Sequence, residues 1–283
     1  MTTPYQQQPQ YQQAPGAPLG PYTSPIAVRR ATFGDALASE WTKIRSVRST
    51  MWTLGAMIAL VVVLGVLAAY LARNSGARMG ETPVLVLGFY GVPLGMICVI
   101  ALGVLTITSE YGTGMIRTTL TACPSRGRIL AAKSIVFFLL AFVTVTAATT
   151  LVAAVQTAMV RDATQPTGGQ WLRATVGVGL YVAMIGLLSL AVGALIRHSA
   201  GSITIMMGVV LLPLVLALFM FNQSLRSLQQ FLLQYSIPSQ LSAFYGVSMS
   251  NSGPSGWEPL WIMTGITAVA LGGAFLALNS RDV

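Results

Sequence analysis

Six long apolar runs dominate the pattern of hydrophobic and polar positions in this chain. Each is close to or longer than the roughly 20 residues that an α-helix needs to cross a bilayer. Within hydrocarbon, backbone amides must pair inside a helix or a closed barrel, and the alternation typical of barrel strands is not seen. The pattern therefore predicts an all-α membrane protein with six transmembrane helices. They are expected at residues 52–72, 83–108, 129–158, 172–196, 202–221 and 258–278.

Proline and glycine interrupt two of these runs. The second run contains Gly91, Pro93 and Gly95, and the fifth contains Pro213. Because proline removes one hydrogen bond from a helix, we expect kinks at these positions. Such a kink serves either as a hinge or as a passive packing feature.

The polar N-terminal segment has a composition that cannot bury a core. Residues 1–28 are rich in Gln, Pro and Tyr, and we expect a disordered tail there. The first strongly apolar run starts near Met51, far behind the usual position of a secretory signal peptide. We therefore expect insertion to use the first membrane helix itself.

Residues 33–49 have the pattern of an amphipathic helix next to the first span. Leu37, Trp41 and Ile44 recur at helical spacing, and Asp35 is placed to cap the N-terminus. The charged positions fall elsewhere on the helical wheel, at Glu40, Lys43 and Arg45. We expect this helix to lie in the membrane interface with the indole ring at headgroup depth. It serves either as an anchor or as a contact for a partner protein.

The cations between the runs are unevenly distributed. With the N-terminus inside, the inner segments carry eleven arginines and lysines and the outer loops carry five. The positive-inside rule then places both termini in the cytoplasm, which agrees with an even number of spans. The expected location is the cell membrane, with the chain crossing it several times.

Composition supports lipid as the main surrounding medium. Apolar residues make up 54% of the 283 residues and charged residues only 8%, against about a quarter in soluble domains. The net charge of +9 is scattered among loops, so we expect no nucleic-acid partner. Cys98 and Cys123 fall in an apolar run and a polar loop, and His198 is the single histidine. No disulfide framework and no metal site follow from these residues.

Ionisable chemistry is sparse in the predicted spans. No Asp or Glu lies deep in a span, and Arg173 and Lys133 are near span ends, where long side chains snorkel. Secondary carriers usually need an intramembrane carboxylate, although backbone carbonyls also bind sodium. The motifs G-x-S-x-G, H-E-x-x-H and the P-loop are absent, so we expect no catalytic residue and no ATP hydrolysis by that route. Any transport would be passive or driven from outside the chain.

The outer loop at 222–257 shows helical periodicity. Its repeating positions are Leu225, Leu228, Leu232 and Tyr235. Pro238 breaks this pattern, and the stretch SQLSAFYG follows. We expect one or two short helices lying at the outer membrane interface, as opposed to an ordinary connection.

The inner loop at 109–128 is the most informative polar segment. Four of its residues fall near one face of a helix, namely Glu110, Gly114, Arg117 and Thr121. Pro124 ends this helix, and Ser125 can cap the next one. Gly114 allows close approach, and the charged side chains offer charge-assisted bonds to a groove on another protein. The alternative is a solvated, positively charged connection.

This loop resembles the first cytoplasmic loop of type-2 permeases of ATP-binding-cassette (ABC) transporters. The residues that carry the resemblance are Ser109, Glu110, Tyr111, Gly112, Thr113, Gly114, Arg117, Thr118, Pro124, Arg126 and Lys133. The upstream stretch SEWTKIRSVRSTMWTL, residues 39–54, also resembles the start of those permeases. The resemblance covers roughly residues 33–280. The E-A-A-x-x-x-G loop of many importer permeases is missing, which favours export.

The resemblance implies a dimer of permeases and two separate cytoplasmic ATPase subunits, which hold the ATP and magnesium. It implies that the inner loop docks onto the ATPase and transmits its closure to the spans. The docking residues would be Glu110, Tyr111, Gly114, Arg117 and Thr118. Arg126, Arg128 and Lys133 would set the loop at the membrane surface. The helix at 35–48 would lie near the same ATPase surface.

The leading hypothesis is therefore the membrane subunit of an ATP-driven exporter. A non-transporting scaffold or sensor module is the alternative, and a secondary carrier is disfavoured by the spans without carboxylates. Charge reversal at Glu110 or Arg117 is predicted to abolish transport while leaving membrane insertion intact. Drugs, peptides, lipids and polysaccharides all fit the sequence as cargo.

Overall fold

The computed structural model describes residues 32–75, 83–122, 125–160, 163–247 and 253–280. The expected N-terminal tail at 1–28 lies outside these residues. Eleven α-helices occur in the described part of the chain, with 3₁₀ turns at Val84–Tyr90 and Gln223–Leu225 and a π-helical segment at Arg173–Gly177. In chain order the helices are α1 (Phe33–Ser46), α2 (Arg48–Asn74), α3 (Val92–Gly112), α4 (Met115–Ala122), α5 (Arg126–Met159), α6 (Gly168–Leu172), α7 (Val178–Ile196), α8 (Ser199–Phe219), α9 (Arg226–Tyr235), α10 (Ile237–Ala243) and α11 (Glu258–Ser280).

Six of the described helices are long and apolar enough to cross a membrane. Five of them are α2, α3, α5, α8 and α11. The sixth is the continuous helix Gly168–Ile196, which is made of α6, the π-helical segment and α7. The described residues form no strand. The structure therefore confirms the all-α, six-span architecture predicted from the apolar runs.

The second apolar run does not form one helix with a kink. Residues Val84–Tyr90 form 3₁₀ turns, and α3 begins only at Val92, with Pro93 in its first turn. Gly91 lies between the two elements, where a Cβ atom would be only 2.6 Å from the carbonyl oxygen of Val61 in α2, so the position has no room for a side chain. The predicted interruption of the second run is thus found at Gly91, but Pro93 does not kink a helix, because proline is tolerated at a helix start, where no amide hydrogen bond is lost.

The helix α7 forms the centre of the bundle and packs against α3, α5 and α11. Its contact with α3 is close because Gly103 of α3 lies directly against Ser189 and the backbone carbonyl of Gly186. Farther along α7, Gly193 lies against Ile107 of α3. Small residues matter in lipid, where van der Waals contact takes over the role that the hydrophobic effect has in water.

The outer loop forms two helices, as predicted, but the second is buried within the protein. The buried residues run without interruption from Ser236 to Tyr245 and include α10. Gln240 accepts a hydrogen bond from the Tyr181 hydroxyl at 3.3 Å and donates one to the Tyr235 carbonyl at 2.8 Å. The prediction that both helices lie at the membrane interface is wrong for α10, because these bonds and the surrounding side chains satisfy its polar groups internally.

Candidate functional site

The helix α1 begins with a reciprocal capping box. Thr32 is the N-cap, its hydroxyl accepts the Asp35 amide, and the Asp35 carboxylate accepts the Thr32 amide at 2.8 Å. The expectation that Asp35 itself is the N-cap is therefore wrong by three residues. Asp35 occupies the third helical position, where a carboxylate completes the box and complements the helix dipole.

The buried face of α1 differs from the one predicted by its apolar spacing. Ile44 is buried as expected, but Trp41 is 49% exposed and Glu40 is only 3% exposed. A carboxylate is buried this deeply only when cationic or hydrogen-bonding groups surround it. The face of α1 that packs on the spans therefore carries a charge, and the expectation that Glu40 lies away from the buried face is wrong.

The partners of Glu40 form a cluster of four charged side chains from three helices. Lys133 of α5 lies 2.5 Å from Glu40 Oε2 and 2.9 Å from Glu110 Oε1 of α3. Lys43 of α1 lies 2.7 Å from Glu40 Oε1 and 2.9 Å from the same Glu110 oxygen. We call Glu40, Lys43, Glu110 and Lys133 the charge cluster. Each carboxylate contacts both ammonium groups, so the cluster joins α1, α3 and α5.

The charge cluster is electrically balanced and largely removed from solvent. Lys133 and Glu110 are 2% and 5% exposed, and Lys133 also donates to the Thr106 carbonyl at 3.2 Å. The expectation that Lys133 snorkels to the membrane surface is wrong, because its ammonium group is neutralised inside the protein. The second carboxylate oxygen of Glu110 is buried without a hydrogen-bond partner among the described residues.

Lys43 is the most exposed member of the charge cluster. Partial burial alone would lower the pKa of its amine, but hydrogen bonds from the amine to Glu40 and Glu110, and the charges of both carboxylates, outweigh burial. The pKa of Lys43 is therefore raised above its usual value, which keeps the amine charged at neutral pH. Its stabilising contribution would be lost only as the pH rises through that raised pKa.

The charge cluster also reaches the short helix α4. Lys43 Nζ lies 3.5 Å from the Thr119 hydroxyl of this helix. The helical conformation is interrupted between α3 and α4 at Gly114. This residue has a φ of +73°, a conformation that glycine adopts readily. The predicted single helix with Glu110 and Arg117 on one face is therefore wrong. Glu110 ends a span, while Arg117 lies on a separate, surface helix.

The remaining residues of the inner loop divide between exposed and internal positions. Arg117 and Thr118 are exposed on α4, and the Thr118 hydroxyl bonds back to the Met115 carbonyl. Tyr111 is half-buried, with the guanidinium of Arg197 at 5.0 Å from the centre of its ring. The predicted docking residues therefore do not form one surface, because Glu110 faces inward and Arg117 faces outward.

The start of α5 is attached to the end of α11. Ser125 is the N-cap of α5, as predicted, although its side chain makes no capping bond. Arg126 donates to the Leu278 carbonyl in the last turn of α11 at 2.6 Å, whereas Arg128 is exposed. Arg126 thus neutralises the negative end of a helix dipole within the protein. Pro124, the predicted end of the preceding helix, lies outside the described residues.

Comparison of the sequence with known protein families identifies the family of this chain. The model of the ABC-2 family transporter proteins matches residues 36–221, which include most of α1, the charge cluster and α4. This match covers well over half of the chain, so the chain belongs to the ABC-2 transporter family. It is a multi-pass membrane protein and the permease component of an ABC transporter. No curated protein matches the chain by sequence.

Proposed function

We propose that this permease is the membrane subunit of an ATP-driven exporter and that the charge cluster couples a separate ATPase to the spans. The observation that supports this role is the set of bonds made by Lys43 and Lys133. Through these two amines, α1, α3 and α5 share both carboxylates, and α4 is attached through Thr119. Two surface helices and two membrane helices are thus held by one group of charges.

In this proposal the exposed side of α4 is the docking element. The exposed residues on this side are Met115, Arg117 and Thr118. They belong to the helix that Thr119 links to the charge cluster. A partner changes the conformation of the spans only if it binds two conformations with different affinity. Movement of α4 and α1 with the ATPase would displace Glu110 and Lys133, and with them the ends of α3 and α5.

The end of the bundle that carries the charge cluster is proposed to face the cytoplasm. Among the residues that the structure describes, the polar segments at this end hold most of the arginines and lysines, as the positive-inside rule requires of cytoplasmic segments. Both chain termini then lie in the cytoplasm. The ATPase subunit, with its ATP and magnesium, would bind at this end.

A second copy of the permease is proposed to complete the pathway. The helices within one chain are close-packed around α7, where a methyl group added at Gly103 or Gly179 would lie 2.1 Å or 2.0 Å from a side-chain oxygen. By contrast, few residues of α8 and α11 are buried within the chain. A cargo route between two copies, not through one bundle, fits this packing.

Replacing Arg117 with Glu is expected to remove the ATPase subunit from the complex. The substitution reverses an exposed charge on α4, so the free energy of unfolding should change by less than about 0.5 kcal/mol. The measurement is the amount of ATPase retained by tagged permease purified from its own membranes in mild detergent. We expect at least a tenfold loss, with ATP-dependent export abolished in vesicles that contain both subunits.

The matched control is Arg226→Glu, which reverses an exposed arginine on α9 at the start of the outer helices. This variant should retain the ATPase at the wild-type level. Normal retention by the Arg117 variant would contradict docking through α4. A wild-type complex without any ATPase would favour the scaffold or sensor alternative, and export that survives ATP depletion but not loss of the ion gradient would favour a carrier.

A further inference from the structure

An open groove lies where α1 meets α2, and no member of the charge cluster lines it. Its volume is about 400 Å³. The residues that line it are Arg45, Ser46, Arg48, Met51, Trp52 and Gly55. The groove therefore combines two cationic side chains with the first apolar turns of a membrane span.

The positive charge of the groove is not compensated within the described part of the chain. Arg45 and Arg48 are both exposed, and neither forms an ion pair there. The described carboxylates are engaged elsewhere: Asp35 with Thr32, Glu40 and Glu110 with the two lysines, and Glu258 with the Ser255 amide. In addition, α2 begins after Val47 without a side-chain N-cap. The positive end of its helix dipole therefore adds to the charge of the arginines.

The other half of the groove is apolar and open. Trp52 is 80% exposed and Met51 is 42% exposed, although both belong to the first turns of a span. Arg48, Trp52 and Gly55 follow one face of α2, since residues four and seven positions apart overlie one another on a helix. A Cβ atom at Gly55 would have no neighbour within 4 Å, so the groove stays open beside the indole ring.

We propose that this groove binds an anionic phospholipid. The phosphate would lie between the guanidinium groups of Arg45 and Arg48, which suit bidentate contact with phosphate oxygens. The acyl chain would follow α2 past Trp52 towards Gly55. A water-soluble partner protein matches the arginines but not the apolar turns of a span, whereas a lipid with a negative headgroup matches both halves.

Fluorescence quenching by brominated lipids tests this site in the full-length permease. The protein is purified in mild detergent and titrated with phosphatidylglycerol or phosphatidylcholine that carries bromine on its acyl chains. The share of quenching that is lost in Trp52→Phe reports lipid bound in the groove. We expect saturable quenching of Trp52 by brominated phosphatidylglycerol at concentrations at which brominated phosphatidylcholine has little effect.

The double variant Arg45→Gln/Arg48→Gln should weaken phosphatidylglycerol binding by about fivefold per arginine and about twenty-fivefold in total. Its matched control is Arg73→Gln/Arg226→Gln, which removes two exposed arginines outside the groove and should bind as the wild type does. The variant Arg45→Lys/Arg48→Lys keeps the charge and should retain most of the preference for the anionic lipid. Thermal unfolding of all variants should coincide, since the substituted side chains are exposed.

Three results would overturn the proposal. Equal quenching by the two lipids would show that the arginines select no headgroup. Absence of quenching at Trp52 by either lipid would show that another protein surface, such as a second copy, covers the groove. Unchanged lipid binding together with loss of the ATPase subunit in the double glutamine variant would assign the arginines to a protein contact. The Arg117 variant is read out separately, so the docking proposal and the lipid site fail independently.

Discussion

Replacing Lys133 with Met should lower the free energy of unfolding by about 3–5 kcal/mol, the largest effect expected for an isolated substitution in this chain. Lys133 contacts both carboxylates of the charge cluster and is 2% exposed. Without it, Glu40 and Glu110 would share the single ammonium group of Lys43. A buried carboxylate without sufficient compensation is far more costly than the loss of one favourable contact. We therefore expect α1 to separate from α3 and α5 in this variant.

The measurement is thermal unfolding in one detergent, followed by size-exclusion chromatography and by protease sensitivity of α1. Arg117→Met is the matched control, because it removes a cation that is exposed. The double variant Glu110→Gln/Lys133→Met restores the balance of charge and should be more stable than Lys133→Met alone. Equal melting temperatures for Lys133→Met and Arg117→Met would show that the charge cluster does not hold these helices together.

The burial of Glu110 also changes an expectation drawn from the sequence. Charge reversal at Glu110 was predicted to stop transport without affecting insertion, as for Arg117. The structure gives the two residues different surroundings, since Glu110 lies between two ammonium groups and Arg117 is exposed. Glu110→Lys would place three cations around one carboxylate and should destabilise the fold. Only the Arg117 substitution separates docking from stability.

Replacing Gly103 with Ala should be the second most damaging of these changes, with a loss of about 1–3 kcal/mol in unfolding free energy. A Cβ atom at Gly103 would lie 2.1 Å from the Ser189 hydroxyl and 2.4 Å from the carbonyl oxygen of Gly186. A hydroxyl can rotate away, but a backbone carbonyl cannot, so α3 and α7 must move apart. In lipid the lost van der Waals contact is not replaced by a hydrophobic gain.

Gly272→Ala provides a matched control for this substitution. Gly272 lies in the span α11, and a Cβ atom there meets no atom within 4 Å. Because alanine favours helix more than glycine does, this variant should be as stable as the wild type or slightly more stable. Thermal unfolding of both variants in the same detergent makes the comparison. If Gly103→Ala melts together with Gly272→Ala, the close crossing of α3 and α7 is wrong.

The sequence predicts the spans well because a bilayer imposes a minimum apolar length that can be counted along one dimension. The two helices of the outer loop can also be predicted from the sequence, since the break near Pro238 follows from local backbone chemistry. The burial of the second of these helices cannot be predicted in this way. Nothing in the spacing of Leu225, Leu228 and Leu232 indicates that the next helix, α10, is buried beside Tyr181.

The charge cluster cannot be predicted from the sequence for a related reason. A helical wheel assigns Glu40 and Lys43 to the polar face of α1, because polar residues are normally solvated. Their actual surroundings depend on Glu110 and Lys133, which are separated from α1 by tens of residues and lie at the ends of two other helices. One signal was present: charged side chains near span ends are costly unless paired, and the chain offers both signs there.

The charge cluster contains equal numbers of positive and negative groups, and this balance determines how its movement depends on the membrane potential. Moving one elementary charge through a potential of 100 mV changes the free energy by about 2.3 kcal/mol. Glu40, Lys43, Glu110 and Lys133 would carry two charges of each sign and move together as one body. Their displacement transfers no net charge through the field. If the proposed coupling is right, the charge cluster should therefore add no voltage dependence of its own to the transport rate, which a comparison of polarised and depolarised vesicles would measure.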